Sequence, residues 1–242
     1  MNSRNNKKLK VLTALFGVAS LIFAMLAIQS FAALRYGNSR DVDLKMGSID
    51  VRLLENGNIT PEASKEKEGW LLSDLSDKSV DPGYAYDEVI EARNTADQPE
   101  YVRVIVRKYW MDKDNKRVDL DPSLIKLGYK NADFNSDAWI INDAETTDEQ
   151  TVYYMRKALP AKTDSPALFD KISADASLAD AYTLETSEDG KTITATYEYD
   201  GLHMGLDIEV QSIQHTSANE AITSAWGVTN VTVSDGTVSI KR

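Results

Sequence analysis

The 242-residue chain contains no cysteine. That absence excludes disulfide staples, zinc ribbons, iron–sulfur clusters and thiol nucleophiles together. Histidine is nearly absent as well, with His203 and His215 the two copies. Neither belongs to a His-Glu-x-x-His helix, so the usual zinc-protease pattern is missing. Gly-x-Gly-x-x-Gly, the P-loop and Gly-x-Ser-x-Gly are missing too, and with them the common nucleotide-binding and serine-hydrolase signatures. Positive charge is scarce: 27 Lys and Arg stand against 38 Asp and Glu, a net charge of −11. Such a chain offers no basic field to neutralise phosphates, so nucleic acid is not an expected partner. Apolar residues make up 42% and charged residues 27%. That balance supports a packed core and is unlike a disordered or multi-span membrane chain.

What positive charge there is gathers at the start. Arg4, Lys7, Lys8 and Lys10 precede an uncharged apolar run over residues 11–28, and no acid accompanies them. A basic region followed by an apolar one is the pattern of an export signal. Ser30 and Ala32 are small residues at the −3 and −1 spacing of a signal-peptidase site, which places the cut between Ala32 and Ala33. The alternative is an uncleaved anchor, since the apolar run with Phe31 to Leu34 approaches the ~20 residues a bilayer requires. Cleavage is the expectation, giving a signal peptide over 1–32 and a single secreted domain over 33–242. The mature part then holds 23 basic and 38 acidic residues, a net of −15. That charge favours solubility and repels the protein from anionic surfaces. Export without cysteine fits a folding route independent of disulfides.

The body reads as strands. Ser48 to Leu53 alternates, with Ile49, Val51 and Leu53 sharing a face. Trp70, Leu71 and Leu72 are expected in the core after a polar loop over 60–69. Tyr86 to Arg93 reads as a strand. Tyr101 to Trp110 is the strongest one, with Val102, Val104 and Val106 on one face and Tyr101, Arg103, Ile105, Arg107 and Tyr109 on the other. Two arginines among apolar residues predict that the second face is half exposed. Trp139–Ile141, Thr151–Met155, Leu206–Ile213 and two hairpins, 182–199 turning at Asp189-Gly190 and 231–240 turning at Asp235-Gly236, complete the set. Ser165 followed by Pro166, with Leu168, Phe169 and Ile172 behind them, predicts a helix ending near Ala176. Ser217 with Glu220 predicts a capping box opening a helix through Ala225. The sum is an all-β fold, a jelly-roll-like antiparallel β-sandwich with two or three short helices.

Few residues offer chemistry. Asp112, Asp114, Asp119 and Asp121, with Asn115 between them, supply alternating oxygens that could serve calcium. Lys113, Lys116 and Arg117 interrupt them and no glycine sits at the turn, so a polar hairpin is the plainer reading. The acidic stretch from Asn142 to Glu149 has the same standing. His203, His215 and a carboxylate such as Asp207 form a second candidate for a metal, against the plainer reading of two loop histidines. Trp70, Trp110, Trp139 and Trp226 could line a sugar groove, or pack the core. No cofactor is expected beyond that calcium candidate, and no catalytic residue is assigned.

The order of these motifs is similar to a family of bacterial proteins exported through the alternate signal peptidase SipW, the group containing the fibre protein TasA and the camelysins. Ser30-Phe31-Ala32 running into Ala33-Leu34, then Gly47-Ser48-Ile49-Asp50-Val51, resembles the signal region and first mature strand of that group. Asp81-Pro82-Gly83, Asn94-Thr95-Ala96 and Tyr101-Val102-Arg103-Val104 resemble its turn, its Asn-Thr-Gly-like loop and its long strand; Ala96 stands where glycine is expected. Tyr153-Tyr154, Leu168-Phe169, Ile208 to Gln214 and Ala225-Trp226 follow in the order of one branch. The resemblance implies a jelly-roll-like sandwich, secretion by a Gram-positive cell and a place in surface fibres or biofilm matrix. It also carries a peptidase label from the camelysins, with no catalytic motif that maps onto this chain.

Two classes of function follow. The first is a secreted structural subunit that self-associates into fibres, alone or with related matrix proteins, by adding the extended segment Ala33 to Leu44 to an open edge of the next copy. Leu34, Val42 and Leu44 would be the residues that segment buries. The second is a secreted metal-dependent peptidase or a carbohydrate- or surface-binding module. Signal peptidase is the expected partner during export, and contact with the membrane is expected only through the signal segment.

Overall fold

The computed structural model describes residues 50–60, 71–72, 75, 80–112, 116–117, 120–187, 192–197, 199 and 201–241. In chain order the strands are β1 (Val51–Glu55), β2 (Asn58–Ile59), β3 (Tyr86–Asn94), β4 (Glu100–Met111), β5 (Lys116–Arg117), β6 (Ile125–Gly128), β7 (Trp139–Ile141), β8 (Gln150–Met155), β9 (Phe169–Ala174), β10 (Tyr182–Thr186), β11 (Ile193–Tyr197), β12 (His203–Gln214), β13 (Val231–Ser234) and β14 (Thr237–Ile240). One antiparallel sheet has the order β2-β1-β3-β9-β6 and the other β12-β4-β8-β7, with β5 beside the end of β4. The chain changes sheet after β3, β5, β6, β8 and β9, so neighbours in sequence face each other across the core. This is an all-β sandwich, as the alternation of apolar and polar residues requires when each sheet has a face to bury.

The core between the sheets is lined by Ile90 and Ala92 of β3, Val102, Val104 and Val106 of β4, and Phe169 and Ile172 of β9, with Trp110 and Trp139 closing it. In β1 the buried residues are Val51 and Leu54, with Leu53 half-buried. Ile49, Trp70 and the segment 61–69 lie outside the described residues. Leu72 is buried as expected.

The predicted helix after Ser165 is a correction. Residues 169–174 form β9, the strand between β3 and β6. The hydroxyl of Ser165 accepts a hydrogen bond from Ala92 N at 2.9 Å, and so serves a strand edge instead of a helix start. Leu168, Phe169 and Ile172 are fully buried. A short apolar run buried in the middle of a sheet has no periodicity that separates it from a buried helix, and the available pairing partners decide. A bulge between Asp87 and Ile90 of β3 absorbs the register change opposite β9.

The second face of β4 is corrected over its first half. Tyr101, Arg103 and Ile105 are buried, while Arg107 and Tyr109 are half-buried as expected. After β12 the chain folds back over this face as a short α-helix, α1 (Ala218–Ala221), a π-helical turn over Ile222–Trp226 and the hairpin β13–β14. Ile222, Trp226, Val231 and Val238 pack there against Tyr101, Ile105, Val152 and Tyr154 as a second core. The expected capping box does not form. Ser217 has a left-handed φ of 54° and makes no side-chain cap bond, yet the helical stretch runs through Trp226 as expected, one α turn followed by the π turn. Gly227, at φ +71°, takes the left-handed position that ends the π turn.

Candidate assembly surface

The structure separates the residues that the sequence offered as metal ligands. His203 opens β12 opposite Met111, and His215 follows its last residue, Gln214, which lies opposite Glu100. Twelve residues of extended chain span about 40 Å, so the two histidines cannot share an ion. This corrects the candidate site built from both. His215 instead stacks on Tyr101, with ring centroids 5.7 Å apart. In the aspartate cluster, Asp114 and Asp119 lie outside the described residues. Asp121 caps the 3-10 turn Pro122–Leu124: its oxygens accept from Ser123 N and from Ser123 Oγ, each at 2.8 Å. The Ser123 side-chain and backbone bonds hold its carboxyl below the usual range. Asp112 is half-buried at the end of β4. Among the described residues, no group of three or more His, Asp or Glu side chains is arranged to hold a metal. Trp110, Trp139 and Trp226 are buried in the two cores, so none of these three offers a face to a sugar. Ala32, Ala33, Leu34, Val42 and Leu44 lie outside the described residues.

The most connected polar group belongs to the fold. Arg103, the fourth residue of β4, projects into the second core. It donates from Nε to Gln211 Oε1 at 2.9 Å, and from Nη1 to Glu145 Oε1 at 3.0 Å and Tyr154 OH at 3.2 Å. Tyr154 OH donates to Glu145 Oε2 at 2.5 Å, and Asn142 Nδ2 to the same oxygen at 2.7 Å. The guanidinium carbon lies 5.3 Å from the Trp226 ring centroid. Burial raises the Tyr154 hydroxyl well above its ordinary pKa, and its bond to the Glu145 carboxylate adds to that rise. Every oxygen of Glu145 is engaged by a donor from this network, which gives the acidic stretch 142–149 a structural task. Lys108, on the inner face of the same strand, has its pKa lowered first by burial and then by Lys126; its Nζ donates to Ile125 O at 2.7 Å. Sequence reasoning missed both groups. A charged residue inside an otherwise apolar strand was the available signal.

What the fold leaves open is strand edge. Among the described residues β12 pairs only with β4, through twelve successive residues. Among the described residues its other edge is the longest left unpaired in the two five-stranded sheets; the strands at their remaining edges, β2, β6 and β7, are two to four residues long. On the inner face of β12, Ile208 and Val210 are half-buried and pack on the sandwich core, so that core is incompletely covered along this side. Asp207 is the exposed charge at its middle. Long edges with adjacent apolar surface are the sites where another strand pairs. The hairpin β10–β11 stands apart as a two-stranded sheet. Its register puts Tyr182, Leu184, Ile193 and Ala195 on one face and Thr183, Glu185, Thr194 and Thr196 on the other. Leu184 and Ile193 are 60% and 67% exposed.

No family model matches the chain, and no curated protein or solved structure matches it. The class that the fold defines is an antiparallel β-sandwich, with a long edge on β12 that no other described strand pairs. No helix among the described residues is long and apolar enough to cross a membrane.

Proposed function

We propose that this protein is an exported structural subunit that assembles by strand addition, with β12 as the acceptor edge and Ala33 to Leu44 of another copy as the donor. The observation that carries the reading is the twelve-residue outer edge of β12, unpaired among the described residues, beside half-buried Ile208 and Val210. An added strand would satisfy the outward backbone groups and finish covering those side chains. The signal-like start, the net charge of −15 beyond residue 32 and the motif order shared with SipW-dependent proteins support the same reading.

Electron microscopy of residues 33–242, concentrated and aged with and without calcium, tests assembly directly. Regular filaments are expected. Deleting Ala33–Leu44 should leave a folded monomer that forms none. Proline placed singly at Asp207 and at Ile208 tests the acceptor. These neighbours point their N–H groups to opposite sides, so one of the two variants should fold normally and fail to polymerise. Polymers from the deletion variant would refute the donor, and polymers from both folded proline variants would refute the acceptor.

A further inference from the structure

A carboxyl group is sealed into the end of the sandwich where the described chain begins. Glu100, the first residue of β4, is 0% exposed, as is its neighbour Asn94 at the end of β3. Glu100 Oε1 accepts the Asp50 N–H at 3.1 Å. Glu100 Oε2 and Ser212 Oγ are both buried, and neither has a hydrogen-bond partner placed on it. Ser212 lies opposite Val102 on β12, diagonal to Glu100 and on the same inner face. The Ser212 hydroxyl acts on the carboxyl as a hydrogen-bonding neighbour, and the Asp50 carboxylate acts on it as a like charge.

Among the described residues, no cation is placed to balance an ionised Glu100. Arg52 Nε is held 3.0 Å from Asp50 Oδ1. Lys162 pairs with Asp97, and Arg93 with Asp164. Asn94 spends its amide on Gln98 O, Leu159 O and Ala96 N. The loop at Leu159 contributes two backbone bonds to Glu100 and no charge. Gln214, the cross-strand neighbour, is neutral, and His215 stacks on Tyr101. Ser212 Oγ can accept from a protonated Oε2 or donate to an ionised one, and its effect as a donor is to lower the carboxyl. What favours the proton is the burial of the carboxyl beside the Asp50 carboxylate, with no described cation set against it.

We propose that Glu100 is a proton-linked latch on the N-terminal end of β1. Protonated, it bonds Ser212 and holds the Asp50 N–H. Ionised, it is a buried carboxylate facing the Asp50 carboxylate, and the Asp50 end of β1 opens to admit water. The carboxyl is raised to about 7, first by burial and then by the Asp50 charge, against the lowering effect of its Ser212 and Asp50 N–H bonds. That places the switch between mildly acidic and mildly alkaline solution. The latch is a property of the folded monomer and goes beyond the assembly reading, whose failure would leave it standing.

Hydrogen exchange of the full chain in mild detergent, followed by mass spectrometry, tests it. The amides to follow are Asp50, bonded to Glu100, and Thr95, whose N–H donates to Asp50 O at 2.7 Å. Rates are divided by the intrinsic exchange rate at each pH. Protection at these amides should fall about tenfold between pH 6 and pH 8, the change one unit of carboxyl titration commands, while Val104 at mid-strand stays constant. Glu100→Gln and Glu100→Met, which cannot titrate, should each remove the fall. Wild-type protection that stays flat across that range overturns the proposal, and so does an equal fall in either folded variant.

Discussion

Arg103 sits where a strand facing solvent would carry an arginine, yet the second core closes over it. Replacing Arg103 with methionine keeps the aliphatic stem and removes the guanidinium. Four contacts go with it: the bonds to Gln211, Glu145 and Tyr154, and the approach to the Trp226 ring. The side chains of Arg103 and Glu145 are 4% and 23% exposed. Removing one partner of a buried pair costs about 3–5 kcal/mol. Glu145 keeps enough exposure to turn toward water, so the lower end applies, about 3 kcal/mol. For a body of this size that is a fall in Tm of about 6–12 °C. Glu145→Gln alone leaves the guanidinium facing a neutral acceptor and should cost about 2 kcal/mol. The double variant has no charge left to strand, and should lie within about 1–2 kcal/mol of the parent. Glu145→Gln therefore destabilises the parent and stabilises the Arg103→Met protein. Urea unfolding followed by tryptophan fluorescence and by calorimetry measures all four corners of the cycle. An Arg103→Met protein within about 0.5 kcal/mol of the parent would refute the reasoning. Equal costs for Glu145→Gln in both backgrounds would refute it too.

Three further outcomes are expected. Glu100 has a folded pKa raised from 4.5 to about 7, so the native state holds the proton more tightly than the unfolded chain. The stability tied to it is greatest below pH ~4.5, is lost as pH rises toward 7 and is flat beyond; Glu100→Gln should flatten the profile. The difference is about 3 kcal/mol, and denaturant midpoints from pH 5 to 8 read it out. At Gly205, a Cβ would fall 2.2 Å from Cε2 of Tyr109, its cross-strand partner. Gly205→Val should therefore displace the Tyr109 ring and cost about 1–3 kcal/mol, and Gly205→Val with Tyr109→Ala should recover part of it, as thermal melts will show. On the hairpin, Leu184→Asp with Ile193→Asp removes apolar side chains that are already in water. Melting temperature should move by less than about 2 °C while the onset of aggregation in light scattering rises, and a large loss of stability would show that the face is covered.

Much of the sandwich is readable in order along the chain. Alternation over Tyr101–Trp110 and Leu206–Ile213 and the Asp235-Gly236 turn require only local chemistry, and each becomes a strand or hairpin; the strands of the first hairpin pair as expected, while its Asp189-Gly190 turn lies outside the described residues. The errors share one physical origin. Ser165-Pro166 before a short apolar run is a sound helix start in isolation, but β3 and β6 offer that run two rows of backbone partners, which a lone helix would leave unpaired. The candidate surface was less legible than the fold. Which strand ends at an edge depends on pairing across more than a hundred residues, as between Gln214 and Glu100. Histidines twelve residues apart look close on paper and stand at opposite ends of β12, because an extended chain travels about 3.3 Å per residue.

By itself the amino-acid sequence determined the acidity, the exclusion of thiol and disulfide chemistry, the basic-then-apolar start and the predominance of strands. Those follow from composition and from contacts between near neighbours. The tertiary structure alone decided that Arg103 is enclosed and that Glu100 is sealed beside Asp50 and Ser212, and that among the described strands β12 pairs on one side only. In each case the deciding partner arrives from a distant part of the chain. Trp226 reaches Arg103, Ser212 reaches Glu100, and no described strand pairs with the outer edge of β12. Burial is a property of what covers a residue, and periodicity reports only which way its side chain points.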